Sequence, residues 1–390
     1  MKKKIAILGS TGSIGKNLIK IIKKDKQKFK VVLLTADKNY HELLNQANDL
    51  NVKNLIITDK KSYKKILSLN IKKINIFNNF NSFNKIFSGK VDYSMCAISG
   101  LNGLLPTFKL IKYSKKIAIA NKESIICAWD LISKELKKNK TSFIPVDSEH
   151  FSLWFGLENS KALLRKCFIT ASGGPFLNLP LKSFSKIKIK EALNHPNWKM
   201  GKKISIDSST MMNKVFEVIE AKNIFKIPYK NIEILVHKDS YIHAILQFNN
   251  GMFKIIAHDT TMMIPIYNSI NYTNYSSKIN NGLPSSNLNI SKLNNLRLMK
   301  PDIKKFPILK ILKNLPQKSS LYETIIVSIN DELVEMYLKN EIRFTDITKL
   351  FFKFAYSSEF LSFKKKKIKK IHDIINLNKF VRFKIRASSI

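Results

Sequence analysis

The chain is poor in cysteine and contains no long apolar run. Its 390 residues include three cysteines, Cys96, Cys127 and Cys167, with no CxxC pair. This pattern excludes a disulfide framework and a cysteine-based metal site, and it favours buried reduced thiols. No apolar run approaches the roughly 20 residues that span a bilayer, and the run at residues 5–8 is far shorter than that of a signal peptide. We therefore expect a cytoplasmic protein with no membrane partner.

Acidic residues are also scarce. There are 28 of them against 68 lysines and arginines, which gives a formal net charge of +40. A basic protein can bind nucleic acid electrostatically. Here, however, the lysines are spread over the whole chain beside frequent Asn and Ile, a combination that an AT-rich coding bias produces without a polyanion partner. Lys also greatly outnumbers Arg, the residue on which base readout depends. We expect no nucleic-acid partner, although the charge favours small anionic substrates.

The chain is long enough for two or three domains. Its first part alternates apolar runs with amphipathic helices at 13–24 and 41–51. The strands are predicted at residues 4–8, 31–35, 54–57, 73–76, 92–98 and 116–120. This alternation predicts a doubly wound parallel sheet that ends near Pro145.

The later part of the chain has a different character. A hairpin is predicted at 241–248 and 252–258 around Asn249-Asn250-Gly251, and the chain after Pro307 is helical in pattern. The predicted domains are a Rossmann-like dinucleotide-binding domain at 1–149, an α+β catalytic domain at 150–270, a linker at 271–305 and a C-terminal helical bundle at 306–390.

A glycine-rich turn, Gly9, Gly12 and Gly15, follows the first predicted strand and opens a helix. Glycines allow a tight turn and a close approach to a pyrophosphate, which the helix N-terminus attracts. The spacing is GxxGxxG, so a dinucleotide site and a plain tight turn both remain open. After the second strand, Asp37 suits a ribose hydroxyl and NADH, whereas Lys38 suits a 2′-phosphate and NADPH.

Two further polar segments follow predicted strands. Asn121, Lys122 and Glu123 lie where open α/β sheets collect ligands, although Asn121 could simply cap a helix. Asp147 and Glu149 are closely spaced carboxylates of the kind that Mg²⁺ or Mn²⁺ prefers. The alternative is an ordinary acidic helix start.

The most informative segment runs from 195 to 221. It combines His195 in a Pro- and Trp-containing loop, a Ser-rich helix start, and a helix that carries Asn213, Lys214 and Glu217 on one face. This set suits a ligand that is both phosphorylated and metal-bound. The alternative is the solvated face of a capped amphipathic helix. Upstream, the glycine-rich turn at Ser172 could receive a phosphate or be an ordinary loop.

Together these segments resemble the 1-deoxy-D-xylulose 5-phosphate reductoisomerase family. The matching pieces are ILGSTGSIG, ANKES, PVDSEH, SGGPF, HPNWKMGKKISIDSSTMMNK with Glu217 and Glu220, and IRFTDI, in the family's order through nearly the whole chain. The resemblance implies rearrangement of the substrate to an aldehyde and its reduction to 2-C-methyl-D-erythritol 4-phosphate. It also implies NADPH, Mg²⁺ or Mn²⁺ with Co²⁺ as an alternative, and a homodimer.

The resemblance also assigns residues. It gives the metal ligands as Asp147, Glu149 and Glu217, which with Lys122 form the catalytic set. It gives the further substrate contacts as Ser148, Ser172, His195, Ser208, Asn213, Lys214 and Trp198, the last on a mobile flap. It gives the cofactor contacts as Thr11, Gly12, Ser13, Ile14, Lys38, Asn39, Asn121, Lys122, Glu123, Gly201 and Met262.

Three departures from the family pattern stand out. Asp37 replaces the usual Gly beside the 2′-phosphate site, and we expect it to relax the preference for NADPH. Thr260-Thr-Met-Met263 replaces Pro-Asp-Met-Arg, and His237-Lys-Asp-Ser240 replaces His-Pro-Gln-Ser. The rival interpretations are another NAD(P)-dependent oxidoreductase that acts on a phosphorylated or carboxylated small molecule, and a basic nucleic-acid-binding protein.

Overall fold

The computed structural model describes residues 1–158, 160–271 and 290–388, which form two compact units. The first unit comprises Met1–Ser124, Ile132–Asp147 and the described part of Met262–Ser286. The second comprises Ile125–Leu131, Ser148–Thr261 and the described part of Asn287–Ile390. The three-domain division stays a prediction, and residues 272–289 of its linker lie outside the described residues.

The elements follow one another as the alternating sequence pattern predicts. The strands are β1 (Lys3–Leu8), β2 (Phe29–Ala36), β3 (Asn54–Ile57), β4 (Asn75–Phe77), β5 (Tyr93–Cys96), β6 (Lys116–Ile119), β7 (Ser142–Pro145), β8 (Leu164–Ala171), β9 (Ile232–Val236), β10 (Ile242–Phe248) and β11 (Phe253–Ala257). The α-helices are α1 (Ser13–Lys24), α2 (Tyr40–Leu50), α3 (Lys60–Ser68), α4 (Phe83–Ile86), α5 (Leu104–Leu110), α6 (Lys122–Lys138), α7 (Ser148–Leu157), α8 (Ile189–Leu193), α9 (Lys202–Thr210), α10 (Met212–Phe225), α11 (Met263–Asn271), α12 (Ile290–Asn294), α13 (Tyr322–Leu338), α14 (Phe344–Ala355), α15 (Ser358–Leu361) and α16 (Ile371–Ala387).

In the first unit, the described strands form a seven-stranded parallel sheet in the order β4-β3-β2-β1-β5-β6-β7. Ile5, Ile7 and Leu8 of β1 are fully buried, because a parallel sheet with both faces covered requires a continuous apolar run. The chain moves outward from β1 to β4 and then returns to β5 on the other side. The point between β1 and β5 is therefore the topological switch point, where α/β sheets bind ligands.

Helix α11 completes the core of this unit, although the sequence analysis placed residues up to 270 in the catalytic domain. It packs against α1. Ile266 and Ile270 are buried in the same apolar cluster as Leu18 and Ile22 of α1. The confirmed part of the prediction is the doubly wound parallel sheet itself, which comes from the alternation of apolar runs and amphipathic helices.

The second unit contains a four-stranded sheet in the order β11-β10-β8-β9. The predicted hairpin is confirmed, since β10 and β11 pair antiparallel around a turn in which Gly251 has φ +83°. Strand β8 pairs antiparallel with β10 and parallel with β9. The sequence analysis named neither β8 nor β9 as a partner of the hairpin, because this pairing is not local in sequence.

Helices α10 and α13 form the buried centre of the second unit. Their residues are buried on nearly every side, so neither helix shows a strongly amphipathic pattern. The helical pattern predicted after Pro307 is confirmed by α13, α14, α15 and α16. None of the helices within the described residues is long and apolar enough to cross a membrane.

Candidate active site

The glycine-rich turn joins β1 to α1 at the switch point of the first unit. A Cβ at Gly15 would lie 2.4 Å from the carbonyl oxygen of Gly9, and Gly9 itself has φ +77°. The backbone N–H of Gly9 donates to Thr35 Oγ1 at 2.9 Å, which fixes the turn to β2. The first amides of α1 have no intrahelical acceptor, so this backbone presents donors to an anion without intervening side chains.

The end of β2 carries the residues that face a nucleotide ribose in this kind of sheet. Asp37, Lys38 and Asn39 are all exposed. Asp37 Oδ1 accepts a hydrogen bond of 2.7 Å from Thr58, and Asn39 caps α2 by accepting from the N–H of Glu42 at 3.1 Å. Both side chains therefore have structural partners, while the charge of Asp37 remains beside that of Lys38.

Asn121 has the capping role that the sequence analysis kept as an alternative. Its Oδ1 accepts from the N–H of Ser124 at 2.8 Å. Its Nδ2 donates to the carbonyls of Ile98 at 2.7 Å and Gly100 at 2.8 Å, and to Glu123 Oε2 at 3.0 Å. Asn121 thus ties the start of α6 to the loop after β5.

Lys122 follows this cap and forms an ion pair with Asp147, which ends the Ile132–Asp147 segment of the first unit. Lys122 is 8% exposed. Burial makes an ammonium costly unless a charge compensates it, so the pair orients both side chains. Ser148 alone separates Asp147 from Glu149 in the chain.

In the second unit, α7 and α10 bring together a buried cluster of charged side chains. Lys214 Nζ donates to Glu149 Oε1 at 2.7 Å and to Glu217 Oε2 at 2.5 Å. Asn213 Nδ2 donates to the other oxygen of Glu217 at 2.6 Å. Glu217 is 1% exposed, so the alternative of a solvated helix face is wrong.

The charges of this cluster do not cancel. Burial by itself lowers the pKa of Lys214, but the charges of Glu149 and Glu217 and their hydrogen bonds outweigh it, and the pKa is raised. One ammonium is therefore shared by two carboxylates, which leaves an excess negative charge. Carboxylate oxygens with such an excess suit a divalent cation.

A second polar group surrounds His195. Its Nδ1 accepts from the backbone N–H groups of Asn197 at 3.2 Å and Trp198 at 3.0 Å. Its Nε2 lies 2.9 Å from Ser172 Oγ, which assigns the proton to Nε2. Burial, and then the nearby charge of Lys214, lower the pKa of His195 to about 4. His195 is therefore a neutral donor at neutral pH.

The turn at Ser172 lies directly against the end of α9. Gly174 has φ +66°, and a Cβ there would lie 2.8 Å from the carbonyl oxygen of Ser208. The N–H of Gly174 also donates to Ser172 Oγ at 3.0 Å. This close approach brings the partly exposed Ser208 near Ser172. The structure thus unites three of the predicted phosphate contacts, Ser172, His195 and Ser208.

Trp198 lies in the segment between α8 and α9 that the sequence analysis predicts to be a flap. Its ring centroid is 6.2 Å from that of His243. Asn197 Nδ2 donates to the carbonyl of Lys238 at 2.6 Å and to Ser240 Oγ at 2.9 Å. The segment is therefore anchored on residues 237–240, where this sequence departs from the family pattern.

Two residues behind the charged cluster were missed as site residues by the sequence analysis. His150 is fully buried, its Nε2 lies 2.9 Å from the carbonyl of Glu217, and its Nδ1 lies 3.9 Å from Glu220 Oε2. Their positions in the sequence could have identified both residues. His150 directly follows Glu149, and Glu220 lies one helical turn beyond Glu217. Ser148, which was named, hydrogen-bonds the carboxylate of Glu149.

The remaining residues predicted to contact the cofactor belong to both units. Thr11, Gly12, Ser13 and Ile14 are partly or fully exposed at the start of α1. Met262 packs on the core of the first unit, although the predicted domain boundary placed it in the second domain. Gly201 belongs to the second unit and precedes α9 as its N-cap.

The fold and these side chains define a nucleotide-dependent α/β oxidoreductase. Three family models match the chain: 1-deoxy-D-xylulose 5-phosphate reductoisomerase at residues 5–129, its C-terminal domain at 143–225, and DXP reductoisomerase C-terminal domain at 259–384. The chain therefore belongs to the 1-deoxy-D-xylulose 5-phosphate reductoisomerase family.

Relatives and solved structures agree with this membership. The 1-deoxy-D-xylulose 5-phosphate reductoisomerase of Pelagibacter ubique is 56% identical over 392 residues and covers both chains completely. That of Wolbachia pipientis is 38% identical over 89% of this chain and 88% of its own. The Zymomonas mobilis enzyme in complex with NADPH is 28% identical, with a TM-score of 0.87 over 100% of this chain and 99% of its own. A reductoisomerase complex with NADPH, fosmidomycin and magnesium, also 28% identical, has a TM-score of 0.89 over 99% and 98%.

Proposed function

We propose that this chain converts 1-deoxy-D-xylulose 5-phosphate to 2-C-methyl-D-erythritol 4-phosphate with NADPH and a divalent cation, in the non-mevalonate route to isoprenoid precursors. The observation that carries this proposal is the buried cluster in which Lys214 bridges Glu149 and Glu217. It supplies the metal-binding carboxylates and lies next to the neutral His195. The full-length identity of 56% to the Pelagibacter ubique reductoisomerase supports the same substrate.

The residues present fit a divalent cation. Glu149 and Glu217 offer carboxylate oxygens that lie within 4.8 Å of each other. Chain connectivity keeps the Cα of Asp147 within about 7 Å of that of Glu149, because one residue separates them. We propose that Asp147, Glu149 and Glu217 hold Mg²⁺ or Mn²⁺, for which such oxygen ligands are suited, with Co²⁺ as an alternative. When bound, the cation polarises the substrate carbonyl for rearrangement.

The first unit fits NADPH. At Gly15 a Cβ would meet the backbone of the turn, so the turn offers bare amides to the pyrophosphate. We propose that Lys38 contacts the 2′-phosphate. We propose the other cofactor contacts as Thr11, Gly12, Ser13, Ile14, Asn39, Asn121, Lys122, Glu123, Gly201 and Met262. NADPH supplies the hydride for the reduction.

We propose that the substrate phosphate is held by Ser172, His195, Ser208, Asn213 and Lys214. The neutral His195 donates from Nε2, because its Nδ1 accepts from the backbone N–H groups of Asn197 and Trp198, and it adds no charge that must be desolvated. Lys214 keeps its proton because its pKa is raised, so it supplies positive charge throughout neutral pH. Phosphate binding supplies binding energy remote from the reacting carbons.

The remaining proposed substrate contacts orient the substrate and shield it from water. Lys122 pairs with Asp147, and its ammonium can donate to a substrate oxygen. We propose Ser148 as a further substrate contact. Trp198 lies on a segment that contains no regular secondary structure between α8 and α9. We propose that this segment closes over the substrate and excludes water while the aldehyde exists.

The test is an assay of NADPH absorbance with 1-deoxy-D-xylulose 5-phosphate. We expect oxidation that requires both the substrate and Mg²⁺ or Mn²⁺ and that stops with a chelator. Full turnover in a metal-free preparation would indicate a different NAD(P)-dependent oxidoreductase. No oxidation under any metal, from a folded preparation that binds NADPH, would overturn the assignment of this substrate.

We further propose that the chain forms a homodimer through the edge strand β11. Phe253 and Ile255 are 54% and 51% exposed, and an exposed apolar edge strand favours pairing with another copy. Ile255→Lys should shift the mass in analytical ultracentrifugation toward the monomer. Leu69→Lys, at a residue with 52% exposure in the first unit, should leave the mass unchanged. A wild type that sediments as a monomer would contradict the dimer.

We also propose a cytoplasmic location. Cys96, Cys127 and Cys167 are buried and form no disulfide with one another, which is the state that a reducing compartment maintains. Cell fractionation with antibody detection would test this location, and recovery in a periplasmic fraction would contradict it.

A further inference from the structure

A buried ion-pair network lies on α9, outside the residues assigned so far. Asp207 is 2% exposed. Its Oδ1 accepts from Asn330 Nδ2 at 2.7 Å, and its Oδ2 accepts from Lys203 Nζ at 3.0 Å. A buried carboxylate is stable only where such donors replace its hydration. Both oxygens of Asp207 therefore have fixed partners on α9 and α13.

Lys203 adds a second contact to α13 and extends the network to α10. Its Nζ also lies 3.0 Å from Asp331 Oδ1 on α13 and 5.2 Å from the ring centroid of Phe216 on α10. Phe216 immediately precedes Glu217. One ammonium thus contacts α9, α10 and α13, and α10 carries Lys214 and Glu217 of the charged cluster.

The network controls how α9 is rotated about its axis. Successive residues of an α-helix point about 100° apart, so fixing Asp207 toward α13 fixes the direction of the next residue, Ser208. Ser208 is partly exposed whereas Asp207 is buried. A purely apolar contact would hold α9 in place but would not set its rotation as strictly, because apolar packing is non-directional.

We propose that Asp207 is a positioning residue that, through Lys203 and Asn330, directs the Ser208 hydroxyl at the substrate phosphate. This inference rests on the proposed phosphate site. Substrate binding then requires Asp207, Lys203 and Asn330, although none of them contacts the substrate. Loss of the network should weaken phosphate binding and leave the chemical step intact.

The experiment is steady-state kinetics of Asp207→Asn with 1-deoxy-D-xylulose 5-phosphate, NADPH and Mn²⁺. We expect KM for the substrate to rise about 10-fold with kcat within about twofold, because binding and not the transition state is affected. A general loss of folded protein would lower kcat and leave KM unchanged. Asp49→Asn, in the exposed pair with Lys23, is the matched control and should behave as wild type.

Two further variants distinguish positioning from simple stabilisation. The double variant Asp207→Asn with Ser208→Ala should have the same KM as Ser208→Ala alone, because both substitutions remove the same contact between Ser208 and the phosphate. Exchanging the two side chains, with Asp207→Asn and Asn330→Asp together, should return KM most of the way to the wild-type value. If Asp207→Asn does not fold, Asn330→Ala should show a severalfold rise in KM at unchanged kcat.

The outcomes separate the two levels of the proposal. A wild type that does not oxidise NADPH with this substrate would remove the proposed function itself. An active wild type with Asp207→Asn at wild-type KM, or with a double variant whose effects simply add, would overturn the role of Asp207 alone.

Discussion

The two units carry different kinds of candidate binding residues. In the first unit, the glycine-rich turn offers backbone amides, and its shape depends on the absence of side-chain atoms at Gly9 and Gly15. In the second unit, Glu149, Lys214 and Glu217 offer charged side chains that are almost fully buried. The first region offers an anion uncharged backbone donors, whereas the second carries opposite charges that stabilise one another.

This difference teaches which kind of change each region tolerates. A binding site made of backbone amides depends on the space around its glycines, so one added methyl group disrupts it. Nearby surface charges have only small effects on such a site. A buried charged cluster depends on electrostatics, so that an isosteric loss of charge is severe. Substitutions that change volume alone or charge alone can therefore test the comparison directly.

The largest expected effect is that of Glu217→Gln, which keeps the shape and removes the charge. We expect kcat/KM with Mn²⁺ to fall about 1,000-fold, or about 4 kcal/mol of transition-state stabilisation. Affinity for Mn²⁺ should fall with it, as measured by titration calorimetry. The pKa of Lys214 should fall because one of the carboxylates that raise it is lost.

Glu359→Gln is the control for this substitution. Glu359 is an exposed carboxylate paired with Lys384 in the same unit, and its loss should leave both quantities unchanged. A Glu217→Gln variant as active as wild type would show that Glu217 is not a metal ligand. The second region would then not depend on charge in the way proposed here.

The next largest effect is that of Gly15→Ala, which adds volume without charge. The new Cβ would lie 2.4 Å from the Gly9 carbonyl oxygen and 2.5 Å from Ser10 Cα, so the turn must shift. We expect NADPH affinity to fall about 100-fold and the free energy of unfolding to fall by about 1–3 kcal/mol. Fluorescence titration with NADPH and urea unfolding measure the two effects.

Gly89→Ala offers the matched control, since a Cβ there has nothing within 4 Å. It should bind NADPH as wild type does. If Gly15→Ala bound NADPH normally, the turn would be an ordinary tight turn, which was the alternative interpretation of its GxxGxxG spacing.

The sequence predicts the first region better than the second, for a physical reason. The strand, the turn and α1 are continuous in the chain, so local propensity and glycine positions determine the turn. The capping role of Asn121 is also local and was anticipated. By contrast, Lys214 and Glu149 are 65 residues apart, and their contact follows from the packing of α7 against α10.

Other tertiary features were equally beyond the sequence. The approach of Gly174 to Ser208 brings two phosphate contacts together, although each could be named only separately. Asn330 and Asp207 are separated by 123 residues, and nothing in the local pattern of either marks it as a partner. The residues themselves suggested a metal site and a phosphate site, whereas the full set of contacts came from the family resemblance, and all these roles stay predictions.

A smaller effect is expected of Asp37→Asn, which removes a charge from the edge of the backbone site. Asp37 is exposed, so its repulsion of a 2′-phosphate is screened, and about 1 kcal/mol or less is involved. We expect KM for NADPH to fall about threefold and KM for NADH to stay unchanged, in the same absorbance assay. Asn retains an acceptor for Thr58, so the local structure is preserved. An equal change for both cofactors would show that Asp37 lies away from the 2′-phosphate.

The smallest effect is that of pH on His195 in the second region. Burial and the charge of Lys214 lower its pKa to about 4 from the ordinary 6.5, so the neutral form predominates in the folded protein above pH 5. A histidine with a lowered pKa adds to stability above pH 6.5, and this contribution is lost as the pH falls toward 4.

His195 should therefore show no NMR titration between pH 5.5 and 8, and wild type should lose more unfolding free energy than His195→Asn as the pH falls from 7 to 4.5. Any change in substrate KM near pH 6 then comes from the second ionisation of the phosphate itself, whose pKa is about 6. A His195 signal that titrates near 6.5 would show that neither burial nor the charge of Lys214 lowers its pKa. The two polar groups of the second unit would then act independently, and the contrast with the uncharged backbone site would apply to the carboxylate cluster alone.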